Sequence, residues 1–265
     1  MKKPETHLLC RYFKPVSDII VTLLLWSYFT VGFVILFFPS YLAAYLFSDN
    51  REISFQRLNH KFYKGFFSLA RLLVFGHKWL ISDEVRSIRS SVIVCNHISY
   101  LDPIFFLSLF EKQKTIVKST FFRVPIFGRV LKSSGYIPST SGTNLSDLML
   151  RHIEAMEDYL ASGGNLFIFP EGTRSRDGAI GRLNKGAFKI ARLCNTSIKV
   201  LFITNTNRLF KPGKFLFNTC VSNTITVELL ASIEPDYQSD TFSISELMSD
   251  VRSLLEAQRT KPVPC

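Results

Sequence analysis

The chain has 265 residues, of which 47% are hydrophobic and 14% aromatic, ample for a sizeable core. The 32 Lys and Arg against 21 Asp and Glu give a net charge of +11, which favours anionic partners: phospholipid surfaces, phosphorylated substrates or nucleic acid. The five cysteines, at positions 10, 95, 194, 220 and 265, form no C-x-x-C pair and no cluster with histidine, which argues against a metal site and against a disulfide framework.

In chain order the first element is Ile19 to Phe38, 20 residues without a charge, about the length that a bilayer core requires of a helix. The apolar run continues past Pro39. As one straight helix, residues 16–47 would measure about 48 Å, so a break near Pro39 or Gly32 is expected. Two geometries follow: a single span, or a helical hairpin sunk into one leaflet. Lys2, Lys3, Arg11 and Lys14 precede the segment and Arg51, Arg57, Lys61 and Lys64 follow it, a symmetry that mildly favours the hairpin. Residues 61–80 mix aromatic and aliphatic side chains with Lys61, Lys64, Arg71 and Lys78. They read either as a helix at an anionic membrane interface or as an amphipathic helix capping the globular part. We therefore divide the chain into an anchoring region, 1–84, and a globular domain, 85–265.

Within the globular part, Ser91 to Cys95 is a strand covered on both faces. Cys95 packs there as a small hydrophobe. His97 lies just beyond the strand, and Asp102-Pro103 ahead of Ile104 to Leu107 reads as an N-cap aspartate with proline at the first helical position. On one regular helix residues five apart point about 140° away from each other. Across a strand-to-helix turn they can meet. The residues alone leave two readings open, a capping Asp102 beside a surface His97 or a cooperating pair.

Residues 115–118 form a short strand, and a helix runs from Asn144 to Ser162 until Gly163-Gly164 stops it. Residues 165–170 are a buried strand, Lys185 to Leu193 a helix, and 197–204, "FLFNTCV" (215–221) and 224–231 are strands. A closing helix covers Ser245 to Gln258. The alternation gives an α/β fold with a mixed, largely parallel sheet flanked by helices, preceded by the hydrophobic anchoring helix or hairpin. The strand ending at Pro170 exits into Glu171, Gly172, Thr173 and Arg174, a carboxylate, a hydroxyl and a guanidinium at one strand terminus. Read alone this is either a polar loop with an internal Glu171 to Arg174 pair or a phosphate-binding turn. Ligands of open α/β sheets gather outside the carboxyl ends of strands, where both motifs lie.

"NHISYLD" and "FPEGTRS", with 74 residues between His97 and Glu171, resemble the two signature motifs of the phospholipid/glycerol acyltransferases, typified by 1-acylglycerol-3-phosphate acyltransferase. "VKSTFFRVPIFGRVL" and "LNKGAFKIA" are similar to two further segments of that family, and the resemblance covers roughly residues 85–210. It implies a membrane-bound enzyme that moves a fatty acyl group from acyl-CoA or acyl carrier protein to the free hydroxyl of a lysophospholipid. In that reading His97 is the general base and Asp102 orients it. Glu171, Gly172, Thr173 and Arg174 hold the acceptor's phosphate and glycerol portion, and Lys118 adds positive potential. No cofactor or metal is implied, and the partners are membrane phospholipids and the two substrates rather than nucleic acid. The catalytic domain then faces the cytoplasm, where acyl donors are made. One departure stands out: after "GYIP" the family usually carries an arginine, and here Ser139, Thr140 and Ser141 follow. That leaves room for another lysolipid as acceptor. A non-catalytic lipid-binding protein of the same fold is the reading from a different class.

Overall fold

Ser91–Cys95 (β2) is buried at every position because the sheet it belongs to is covered on both faces. The structure, a computed structural model, describes residues 8–74, 76–139, 155–175 and 177–261. Beside β2 lie His77–Ile81 (β1), Gln113–Lys118 (β3), Ile137–Ser139 (β4), Asn165–Ile168 (β5), Ile198–Thr204 (β6) and Asn223–Ile233 (β7). They form one seven-stranded sheet in the order β1-β7-β6-β2-β5-β3-β4. Strands β6, β2, β5, β3 and β4 run parallel, whereas β7 is antiparallel to β6 and β1 is parallel to β7. The expected mixed, largely parallel α/β sheet is what the chain forms.

Alternation along the strands builds two cores. Ile93, Cys95, Phe167, Leu201 and Ile203 face one side, with Phe105 and Phe106 from Leu101–Leu109 (α5) and Phe66 and Phe67 from Arg51–Leu73 (α3) packed over them. Val92, Val94, Leu166, Ile168, Ile198 and Val200 face the other side, against the helix at 155–161, Gly186–Leu193 and Ile244–Thr260. Of the helix expected from Asn144, residues 144–154 lie outside the described residues. The closing helix begins where Ser243 accepts a hydrogen bond from the Glu246 amide, an N-cap one turn ahead of the apolar stripe.

The N-terminal segment departs from expectation in an informative way. There is no break at Gly32 or Pro39: the backbone stays helical through Leu8–Ser27 (α1), Tyr28–Phe37 and Phe38–Phe47 (α2). Instead the middle stretch widens to π-helical hydrogen bonding, and Pro39 falls in the first turn of α2, where its missing N–H costs little. The chain reverses at residues 48–50, Asn50 caps α3 by accepting from the Ile53 amide at 3.0 Å, and α3 returns antiparallel. The Tyr28 hydroxyl donates to the Phe62 carbonyl at 2.8 Å and the Tyr41 hydroxyl to Asn59 Oδ1 at 2.6 Å. Asn59 also joins α3 to the domain core, its Nδ2 reaching Ser134 Oγ at 2.8 Å and Tyr136 Oη at 2.9 Å. Thus α3 caps the globular part.

Two strand and helix expectations need correction. Residues 61–80 are not one helix: α3 stops at Leu73, Gly76 takes a φ of +84°, and His77–Ile81 pairs with β7 as an edge strand. "FLFNTCV" is not a strand either, because its backbone groups are taken by α1. The Phe217 amide donates to Thr22 Oγ1 at 2.9 Å, the Thr219 amide donates to Asp18 Oδ1 at 2.9 Å, and Lys14 Nζ reaches Asn218 Oδ1 at 2.7 Å.

After β3 the chain makes a 3-10 turn, Ser119–Arg123, and a short helix, Phe127–Ser133 (α6). A Cβ on Gly128 would lie 2.3 Å from the Phe122 carbonyl oxygen and 2.7 Å from its carbon, so turn and helix touch backbone to backbone. Gly128→Ala should therefore cost about 1–3 kcal/mol of stability, read as a lower denaturation midpoint, through overpacking that no side-chain rotation relieves.

Candidate active site

Strand β2 ends because Asn96 replaces the backbone in the ladder. Its Oδ1 accepts from the Ile203 amide at 2.8 Å and its Nδ2 donates to the Ile203 carbonyl at 2.9 Å. The main chain is thereby released to turn, and His97 follows at the strand's carboxyl end. His97 and Asp102 meet across this turn: the ring Nδ1 lies 2.9 Å from Asp102 Oδ2. A carboxylate only accepts, so Nδ1 carries the proton and Nε2 is left as the acceptor nitrogen.

The expected N-cap role of Asp102 is corrected by the geometry. Tyr100 is the N-cap of α5, and Asp102 sits inside the first turn with its carboxylate directed back at the loop. Oδ2 also accepts the Ile98 and Ser99 amides, each at 2.7 Å, and Oδ1 accepts the Thr206 hydroxyl at 2.5 Å. Asp102 is fully buried, so these donors compensate its charge.

Glu171 is likewise turned inward. Its Oε1 accepts the His97 amide at 3.1 Å and its Oε2 the Gly181 amide at 2.8 Å, while the Ser175 amide donates to the His97 carbonyl at 2.8 Å. The loop after β5 thus grips both backbone groups of His97, and the His97 ring stacks on Phe169 with centroids 4.4 Å apart. The geometry makes Glu171 a clamp on His97. A carboxylate repels a phosphate, and the cationic side chain of this motif is Arg174.

The Arg174 guanidinium lies 3.7 Å over the Tyr100 ring, a cation–π contact that holds it beside the His97 turn. Its Nε and Nη1 are buried and have no hydrogen-bond partner among the described residues. The internal Glu171 to Arg174 pair, one of the two readings of this loop, is not formed, since both Glu171 oxygens are held by amides. Gly172, with φ +67°, and Thr173 are exposed at the same loop. Lys118 is exposed at the carboxyl end of β3, in register with Ser139 of β4. It shares the sheet edge with His97 but is separated from it by β5. Thr140 and Ser141 lie outside the described residues. Cys95 is buried, and burial, reinforced by the Asp102 charge, pushes its thiol well up, which suits packing rather than nucleophilic chemistry.

Sequence reasoning passed over Phe169, Tyr100 and Thr206. The first two sit inside the quoted motifs and carried a signal. Thr206 reaches Asp102 from 104 residues away and carried none.

Residues 79–204 match the sequence model of a family described as Acyltransferase. The chain is 34% identical over 125 residues to the chloroplastic 1-acyl-sn-glycerol-3-phosphate acyltransferase LPAT1 of Arabidopsis thaliana, covering 46% of this chain and 34% of that protein. It is 29% identical over 153 residues to the 1-acyl-sn-glycerol-3-phosphate acyltransferase of Borreliella burgdorferi, covering 57% and 60% respectively. The match therefore spans about a third of the plant relative's length. In fold, the chain superposes on the crystal structure of the 1-acyl-sn-glycerophosphate acyltransferase PlsC from Thermotoga maritima with a TM-score of 0.66, over 92% of this chain and 96% of that one, at 19% identity. The His97 turn, the Glu171 clamp and the strands between them all fall within residues 79–204, the stretch similar to the Acyltransferase family model.

Proposed function

We propose that this protein is a membrane-bound O-acyltransferase that moves a fatty acyl group from acyl-CoA or acyl carrier protein to the free hydroxyl of 1-acylglycerol-3-phosphate. The observation that carries the reading is the buried Asp102 holding His97 Nδ1, with Arg174 beside the turn. In the reaction His97 Nε2 takes the acceptor hydroxyl's proton as its oxygen attacks the thioester carbonyl. Asp102 stabilises the imidazolium that forms. Collapse of the tetrahedral intermediate breaks the C–S bond, and the leaving thiolate takes the proton back from the imidazolium. Arg174 holds the acceptor's phosphate.

Membrane attachment rests on Phe13–Phe47, a helical stretch of 35 residues whose outer stripe, including Phe13, Ile20, Leu23, Val31, Ile35 and Leu42, is exposed. The inner stripe packs on the 215–221 loop at Thr22 and on α3 at Tyr28 and Tyr41, which supports a helix lying along one leaflet with its outer face in the lipid rather than crossing the bilayer alone. The catalytic domain faces the cytoplasm, where acyl donors are made.

Detergent-purified protein incubated with labelled long-chain acyl-CoA and lysophosphatidic acid should give labelled phosphatidic acid. Absence of product, with acyl carrier protein donors tried as well, overturns the lysophosphatidic acid assignment. Ser139, standing where the family usually has arginine, supports a second reading in which another lysophospholipid is the better acceptor. A higher kcat/KM on lysophosphatidylethanolamine or lysophosphatidylcholine would select it. Glu171→Gln exchanges one accepting oxygen for a donor facing an amide hydrogen. Activity should fall about tenfold or more, in kcat rather than KM, because His97 loses part of its clamp while the phosphate site is untouched.

A further inference from the structure

The order β6-β2-β5-β3 places the His97 turn, after β2, and the Glu171 loop, after β5, side by side at one edge of the sheet. Because these strands are parallel, the segments that follow β6 and β3 leave from the same edge and bracket the site. Both have the same unusual composition. After β6 the chain exposes Phe215 and Leu216 beside Lys211 and Lys214, and Phe215 stacks on Trp26 of α1 with centroids 6.0 Å apart. After β3 it exposes Phe121, Val124 and Ile126 beside Arg123.

The second of these segments also forms a concavity of about 390 Å³, lined by Phe122, Val124, Arg123, Arg129 and Lys132 among others. Ile126 caps it at the apex of a γ-turn, with φ +63° and ψ −62°, closed by the Phe127 amide on the Pro125 carbonyl at 2.6 Å. A β-branched residue in that conformation is strained, and its side chain is 55% exposed, so neither backbone preference nor burial accounts for an isoleucine there. Strain of this kind is kept where a function holds it.

We propose that the segment 121–132 is a second membrane contact, in which Phe121, Val124 and Ile126 enter the headgroup region and Arg123, Arg129 and Lys132 bind the phosphate of an anionic phospholipid. Charge complementarity selects the occupant: apolar tips ringed by three cations suit an anionic leaflet better than a neutral one. The Phe215 loop, continuous with the lipid-facing helix through Trp26, is the matching contact on the opposite flank. With both flanks seated, the His97 edge is held against the membrane surface, where a lysolipid acceptor resides. The inference rests on the membrane reading of the N-terminal helix.

The test is vesicle flotation of the full chain with phosphatidylcholine alone and with phosphatidylcholine mixed with phosphatidylglycerol. The wild type should bind both and prefer the mixed vesicles. The triple variant Arg123→Gln, Arg129→Gln, Lys132→Gln should lose about 100-fold in affinity for the mixed vesicles and keep its binding to neutral ones, at roughly fivefold per cation. Ile126→Gly relieves the turn strain, so it should fold at least as well as the wild type while binding both vesicles about tenfold more weakly. A wild type that floats with neither vesicle overturns the membrane reading itself. A wild type that floats with both, with variants indistinguishable from it, overturns the second contact alone.

Discussion

His97→Ala should lower kcat for acyl transfer to lysophosphatidic acid by about 10²- to 10⁴-fold while changing KM little. That range corresponds to about 2.7–5.5 kcal/mol of transition-state stabilisation, the usual worth of a positioned base acting on a hydroxyl. The substitution isolates the ring. The clamp from Glu171 and Ser175 holds the His97 backbone and is untouched, and the ring's packing partner Phe169 keeps its own contacts with Phe106 and Phe167. Fold and phosphate binding should therefore survive, checked by an unchanged melting profile. Full activity in a folded His97→Ala protein would remove the proposed mechanism, and an inactive wild type with undiminished lipid binding would favour the non-catalytic reading.

Asp102→Asn is the second large effect, and the hydrogen bonds around the carboxylate dictate its character. The asparagine oxygen can keep the place of Oδ2, accepting from His97 Nδ1 and from the Ile98 and Ser99 amides. Its amide nitrogen then faces Thr206, whose hydroxyl can rotate and accept. Geometry and fold are thus preserved while the negative charge that stabilises the imidazolium is lost, and kcat should drop by about 10³- to 10⁴-fold. Asp102→Ala differs: it strands two buried amides at about 1–3 kcal/mol each, so a large loss of stability should accompany the loss of activity. Comparing the two by kcat and by thermal midpoint separates the charge of Asp102 from its structural bonds. Near-wild-type kcat in a folded Asp102→Asn protein would show that the charge is dispensable.

The parts legible in the sequence are those set by near neighbours. The run at 91–95, apolar and mostly β-branched after Ser91, reads directly as a buried strand, because strands of a sheet covered on both faces favour apolar side chains at successive positions. β5 was legible in the same way, and the helices at Gly186–Leu193 and Ile244–Thr260 were read close to their observed bounds. The His97 and Asp102 encounter was one of two readings that the local spacing allowed, and the resemblance of the two motifs, rather than the spacing, favoured it. The expected strand at 215–221 failed for a non-local reason: whether a short apolar run pairs in a sheet depends on which donors and acceptors reach it, and here Asp18 and Thr22 arrive from about 200 residues away.

The sequence by itself determined the α/β alternation, the length and apolar character of the N-terminal helix, and the two motifs, since these depend on period, composition and adjacency along the chain. Tertiary structure alone decided that Asn96 ends β2 by bonding Ile203, that Thr206 completes the ring of donors around Asp102, and that Glu171 faces inward onto backbone amides. It also decided which stripe of the long apolar helix stays exposed, because α3 folds back along the other. The physical reason is common to all of these. A buried polar group must find a partner within about 3 Å, and which partner it finds is set by the packing of the sheet and its layers, which bring together residues that have no relation in sequence.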